Sequence, residues 1–340
     1  MSQELAPAAP PSTQATAVDA AADRQSRIVG LVQRSAALIV LAIALLVGSV
    51  MYSQFAEVSN FRNILESRFS LGLIAVGMTF VIISGGIDLS VGSVMAVSAV
   101  LTAWSATNYG SVAAVVVPLA VCAVIGLVNG LLIARGRLAP FIVTLATLLG
   151  ARGLALKITD EGTTKQLVPD DAWVLNLGRA DVAGLPVPIL FAVAAFLVGF
   201  VVLNRTRFGQ SVFAVGGSED AANLMGLPVR RIKVWVYVAS AFLAGVAGML
   251  VAARAGTGEV TLGQGIELQA IAAVVIGGTL LTGGSGGLGG TAAGVVLLGV
   301  ISNLINLSDL PNTYYQGLVS GLFLLVVVVA QTLLARKKRT

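Results

Sequence analysis

The sequence predicts an all-α integral membrane protein with about ten transmembrane helices. Three observations predict it. Of 340 residues, 56% are apolar and only 11% charged, where soluble domains carry roughly 25% charge. Mean hydropathy is +0.92. The apolar runs are continuous over about 18 to 22 residues, long enough for a helical crossing, and do not alternate as barrel strands would. Both ends are expected inside, because 14 of the 21 Lys and Arg fall in segments that this arrangement places there and 7 elsewhere. Short basic loops are retained on the cytoplasmic side.

Residues 1–34 open the chain with Ala, Pro, Ser and Thr, too poor in large apolar groups to fold, so they are expected to form a disordered cytoplasmic tail. No basic stretch precedes a short apolar core and cleavage site, so no removable signal peptide is expected. The membrane domain runs from 35 to 335. Its first span covers Ser35–Tyr52. Between Ser53 and Arg68, Phe55, Val58, Phe61, Ile64 and Leu65 recur at helical spacing, which predicts an amphipathic helix on the outer face.

Span two, Phe69–Ser84, runs into Gly85-Gly86-Ile-Asp-Leu-Ser-Val-Gly-Ser93, and span three continues to about Trp104. Span four is Ser111–Ala134, closed by Arg135-Gly-Arg137, and span five is Ala139–Leu156. The polar stretch Lys157–Pro188 is placed outside. Span six, Pro188–Leu203, enters the polar insert 204–233, which carries Arg205, Arg207, Arg230, Arg231 and Lys233. Span seven is Val234–Ala253. Span eight, Ile266–Leu281, meets a second glycine-rich break, Gly283–Gly290. Spans nine (Thr291–Ile305) and ten (Tyr314–Ala335) precede a basic tail at 336–340. Spans two to five and seven to ten start from opposite sides of the membrane, the pattern of an inverted repeat.

Inside the polar insert, Gly217–Gly226 reads as a short helix held away from the membrane. Ser218 is a natural N-cap, Glu219 and Asp220 suit the positive end of the dipole, Ala222 lies mid-helix, and Gly226 before Pro228 stops it. Such a shape suits docking.

Asp88 is the most informative intramembrane residue, since a charge at that depth costs roughly 2.5–3.5 kcal/mol on insertion scales. It either caps a helix starting at Leu89 or touches a transported solute, and both are compatible with a helix broken at the adjacent glycines. Ser90, Ser93, Asn129, Thr144, Thr147, Asn303 and Asn306 are further polar groups at span depth. Each also has an ordinary reading as a helix-packing hydrogen bond. Neutral hydroxyls and amides suit a neutral, hydroxyl-bearing solute better than an ion.

The composition also excludes chemistry. There is no histidine, which removes the commonest general base and metal ligand together. The single cysteine, Cys122, rules out an intrachain disulfide. No Lys-Ser or Lys-Thr follows the glycine-rich run, so it is not a nucleotide-binding loop, and the chain is expected to bind neither ATP, nor metal, nor nucleic acid. Small residues spaced by four (Gly126/Gly130, Ala244/Gly248, Gly290/Gly294) point to close helix packing.

With Gly77–Ser93 and Ala214–Gly226 both read, the chain resembles the ribose-type permeases of ABC transporters over roughly residues 35–335. The stretches Asn60–Leu65, Gly283–Thr291 and Asn303…Asn306-Leu307 are similar to that family too. The resemblance implies a bacterial inner-membrane homodimer, two cytoplasmic ABC ATPase subunits that hold ATP and magnesium, and a periplasmic sugar-binding protein. It also implies that the helix at Ser218–Gly226 couples to the ATPase. The expected function is import of a monosaccharide. Two alternatives stay open: a nucleoside or furanose signal as cargo, and an ion-coupled carrier with Asp88 as its titratable group.

Overall fold

The computed structural model describes residues 37–308 together with 318, 321 and 322. The expected N-terminal tail, span ten and the basic C-terminal tail lie outside the described residues, the three isolated positions of span ten excepted. Helix α1 (Ala37–Met51) leads through a short 3-10 turn, Ser53–Ala56, into α2 (Val58–Ile83). Here the structure corrects an expectation. Residues 58–68 are not a separate amphipathic helix but the first turns of the span itself. No glycine or proline interrupts Glu66–Leu71, so the backbone has no cause to break. The charges are satisfied sideways: Arg62 bonds Glu66 and Asp181, both at 2.9 Å, and Arg254 bonds Glu66 at 2.5 Å.

Helix α3 (Val91–Ala134) is two arms joined at Gly110, whose φ of 82° and ψ of 177° lie outside helical space. That break falls where spans three and four were expected to part. Helix α4 (Pro140–Ile158) starts on a proline, whose missing N–H costs nothing in the first turn.

The polar stretch that follows folds into small pieces. Strand β1 (Gln166–Leu167) is followed by helix α5 (Leu175–Arg179) and a hairpin of β2 (Asp181–Val182) and β3 (Leu185–Pro186), turned at Ala183 and Gly184 with positive φ. Then come α6 (Val187–Arg205), α7 (Arg207–Gly217), α8 (Glu219–Leu224) and α9 (Val229–Ala255). Strand β4 (Thr257–Gly258) pairs antiparallel with β1, and α10 (Ile266–Ile276) and α11 (Leu288–Leu307) complete the described chain.

Two further expectations are corrected. Span eight is only 11 residues of helix, because Gly277 and Gly278 end it before Leu281, with φ of 89° at Gly278. Residues 207–217, expected only as part of the polar insert ahead of the short helix, form a helix capped by Thr206, whose hydroxyl accepts from Gly209 N at 3.2 Å.

Among the described residues six helices are long and apolar enough to cross a membrane: α2, α3, α4, α6, α9 and α11. Helices α2 and α9 are the buried ones, with Leu71, Ile74, Met78 and Ile82 of α2 in one cluster with Ala241, Ala244, Ala247 and Leu250 of α9. In lipid, helices gain little from burying apolar surface against each other, so close van der Waals approach matters more. Gly126 and Gly130 provide it by resting on the α9 backbone at Tyr237–Val238 and Val234.

Candidate functional site

The chain reverses between α2 and α3 over residues 84–90, starting at Gly85 with φ of 82°. Asp88, in the middle of this turn, is completely buried. Its Oδ1 accepts from the Ser90 backbone N at 3.0 Å and from the Ser90 hydroxyl at 2.6 Å. Its Oδ2 accepts from the Ser240 hydroxyl of α9 at 2.8 Å. Asp88 therefore receives one backbone N–H, not the several of a helix cap. The helix begins at Val91 rather than Leu89.

The hydrogen bonds continue outward from there. Asn129 Nδ2 donates to Ser90 Oγ at 3.2 Å, and Thr147 Oγ1 donates to Asn129 Oδ1 at 2.5 Å. One polar chain thus runs Ser240–Asp88–Ser90–Asn129–Thr147 and ties α9, the reversal, the second arm of α3, and α4. Thr144 stands at its edge, bonding Pro140 O at 2.9 Å and reaching Ile87 O at 3.4 Å. Burying a carboxylate is tolerable only when its lone pairs are filled. Here three donors fill them, with no cationic partner among the described residues.

Of the sequence-predicted residues, Asp88, Ser90, Asn129 and Thr144 come together. Ser93 lies one helical turn further along α3, buried and with no hydrogen-bond partner for its hydroxyl among the described residues. Asn303 is elsewhere. It exchanges amide hydrogen bonds of 3.1 and 2.7 Å with Asn60, which also holds Phe55 O, at the opposite end of α2. Asn306 follows three residues later on the same helix, α11. The sequence reading missed Ser240 and Tyr237, whose hydroxyl donates to Ile87 O at 3.4 Å. Nothing local marks them, because they face the reversal only through the pairing of α2 with α9.

The predicted helix at 218–226 forms as α8. Ser218 Oγ accepts from Ala221 N at 3.2 Å, Gly226 takes φ of 77° at its end, and Lys233 of α9 bonds Glu219 at 2.5 Å. Glu219 and Asp220 are exposed, while Ala222 is buried in a cluster with Val212, Val215, Val229 and Ile232. The tip carries Leu224, 90% exposed, and Met225, 68% exposed.

The elbow between α7 and α8 sits directly under both glycine-rich breaks. Gly284 N donates to Ile83 O at 2.9 Å, joining the second break to the end of α2. Gly216, at the end of α7, lies against both partners of that bond. A side chain there would strike Ile83 O and come within 2.7 Å of Gly284 N. Gly283 packs on Gly85 and Gly216 in the same way. A second reversal completes the interior. From Gly258, beside Ala99, residues 259–265 return along α3 until Gly263 meets Gly92, about 10 Å at 1.5 Å per helical residue. Arg152 holds this segment by donating to Val260 O and Leu262 O. Helices α3 and α10 therefore start side by side, each after a turn.

Residues 60–328 match the family described as the permease component of branched-chain amino acid transport systems. The chain belongs to this permease family. It is 40% identical over 310 residues to the ribose import permease protein RbsC of Bacillus subtilis, covering 91% of this chain and 94% of that one. It is 37% identical over 297 residues to the protein of the same name in Escherichia coli K12, covering 86% and 91%. The L-arabinose ABC transporter permease protein AraH of Azospirillum brasilense is 36% identical over 300 residues, covering 88% and 87%. The family and the six apolar helices together make this a multi-pass permease of the bacterial inner membrane.

Proposed function

We propose that this permease is the transmembrane subunit of an ATP-driven importer for a simple sugar such as ribose, and that it is worked from the cytoplasm through α7 and α8. The observation that carries the mechanism is the placement of the α7–α8 elbow against Ile83, Gly85, Gly283 and Gly284. A force on α8 reaches the feet of both interrupted spans without an intermediary. Leu224 and Met225 form an apolar knob of the kind that seats in a partner's pocket. Glu219 and Lys233 tie α8 to the first turns of α9, and α9 carries Ser240 to Asp88.

The partners in this reading are a second copy of the permease, cytoplasmic ATPase subunits that hold ATP and magnesium, and a periplasmic binding protein that delivers the solute. The permease has no ATPase site of its own. Ten crossings follow if the two arms of α3 count separately and α1, α10 and residues 314–335 each cross. The reciprocal approach of Gly92 and Gly263, each at the start of a helix that follows a turn, supports the inverted repeat.

A sugar is favoured because the relatives are named for ribose and arabinose and the interior polar groups are hydroxyls and amides. An aliphatic amino acid is the second reading, favoured by the family's description. Reconstitution with the cognate ATPase and binding protein decides between them. Uptake of ribose driven by ATP, with leucine excluded, is expected. Uptake driven by an imposed proton gradient without ATP overturns the mechanism.

A further inference from the structure

A groove of about 240 Å³ opens between α2, α6 and α11. Its walls are apolar, with Phe69 and Gly72 on α2, Val193 and Phe196 on α6, and Val295 on α11. The exception is Arg68. The other two arginines bonded to this end of α2 have carboxylates: Arg62 has Glu66 and Asp181, and Arg254 has Glu66. Arg68 has none among the described residues. It donates to two neutral acceptors, Ser302 Oγ and Gln269 Oε1, the latter at 3.3 Å. Its Nε is buried with no partner among the described residues. A guanidinium has five N–H donors, so among the described residues most of its hydrogen-bonding capacity and all of its charge are unanswered.

Arg68 lies two residues beyond Glu66 on α2, so it stands about 3 Å deeper along the helix than the paired charges. From it the groove runs along the helices, past Gly72 and Phe196 towards Ala292. A cation in the wall of an apolar slot that follows α2 for about 12 Å, from Ile64 to Gly72, is complementary to one kind of molecule. We propose that the groove binds an anionic phospholipid, its phosphate on Arg68 and one acyl chain between α2, α6 and α11.

The test uses the full-length chain in nanodiscs of phosphatidylcholine mixed with phosphatidylglycerol, with the retained lipid read by native mass spectrometry. One basic residue near the membrane surface gives roughly fivefold preference for an anionic lipid, so phosphatidylglycerol is expected to be retained over phosphatidylcholine by that factor. Arg68→Gln abolishes the preference and Arg68→Lys keeps it. Val193→Trp, on the exposed wall of the groove and remote from any charge, lowers retention of both lipids, and it decides the matter if Arg68→Gln does not accumulate. Retention of no lipid, or equal retention of both, overturns the proposal. So does a disulfide between Val193→Cys and a cysteine introduced within 314–335, which would show the chain's own C-terminal segment filling the slot.

Discussion

Replacing Asp88 separates two roles that a buried carboxylate can play. In the structure it accepts three hydrogen bonds, from Ser90 N, Ser90 Oγ and Ser240 Oγ. Asp88→Ala strands all three donors at a fully buried position. At about 1–3 kcal/mol for each stranded group the loss is on the order of 3–9 kcal/mol, comparable with the whole stability of a domain. The alanine variant should not accumulate in the membrane. Asp88→Asn keeps an oxygen for both Ser90 donors and offers Nδ2 to the Ser240 hydroxyl, which can accept instead of donate. It forfeits only the difference between charged and neutral hydrogen bonds, about 1–4 kcal/mol over the three. The asparagine variant should accumulate and import at no less than half the wild-type rate. Immunoblotting of membranes and ATP-driven uptake into vesicles read the two outcomes. An asparagine variant present at wild-type level but inactive refutes the reasoning, because it gives the negative charge itself a part in transport, as an ion-coupled carrier requires.

Three more outcomes follow from the geometry. Gly216→Ala places a methyl group on the Ile83–Gly284 hydrogen bond; uptake per ATP hydrolysed should fall by roughly 5- to 150-fold, the usual range of a coupling energy, while membrane level is kept. Leu224→Arg removes the most exposed apolar residue of α8 and should weaken association with the ATPase by about 2 kcal/mol, roughly 30-fold, measured by co-purification across a titration. Asp181→Ala breaks a half-exposed pair with Arg62 and should change thermal stability by about 0–1 kcal/mol; a larger drop would show that the β2–β3 hairpin holds the adjoining ends of α2 and α9 together.

Much of the architecture was legible because glycine and charge punctuate this chain sharply. Gly110 divides a 44-residue helix where the apolar pattern has its polar gap at Thr107–Ser111, and Ser218 with Gly226 bounds α8 by its own chemistry. The small-residue pairs marked close packing correctly, as Gly126 and Gly130 against α9 show. What was not legible depends on contacts distant in sequence. The charges of Arg62 and Glu66 read as an interfacial helix until Asp181 and Arg254 were seen to neutralise them from 119 and 188 residues away. Asp88 stood between a helix cap and a solute contact, because its third donor, Ser240, is 152 residues distant. Asn303 looked like an interior polar group, yet its partner is Asn60 at the other end of α2. Helix α7 was hidden by its glycines, which elsewhere in the chain mark breaks; here Gly209 and Gly216 are the residues that let it lie against α6 and under the breaks.

Labelling of a Leu224→Cys variant tests the placement of α8 most directly, since the native Cys122 is buried. A membrane-impermeant maleimide should react at 224 in inside-out vesicles stripped of the ATPase, stop reacting once the purified ATPase is added back, and leave right-side-out vesicles unlabelled. Reaction from the periplasmic side, or reactivity that the ATPase leaves unchanged, would contradict the account.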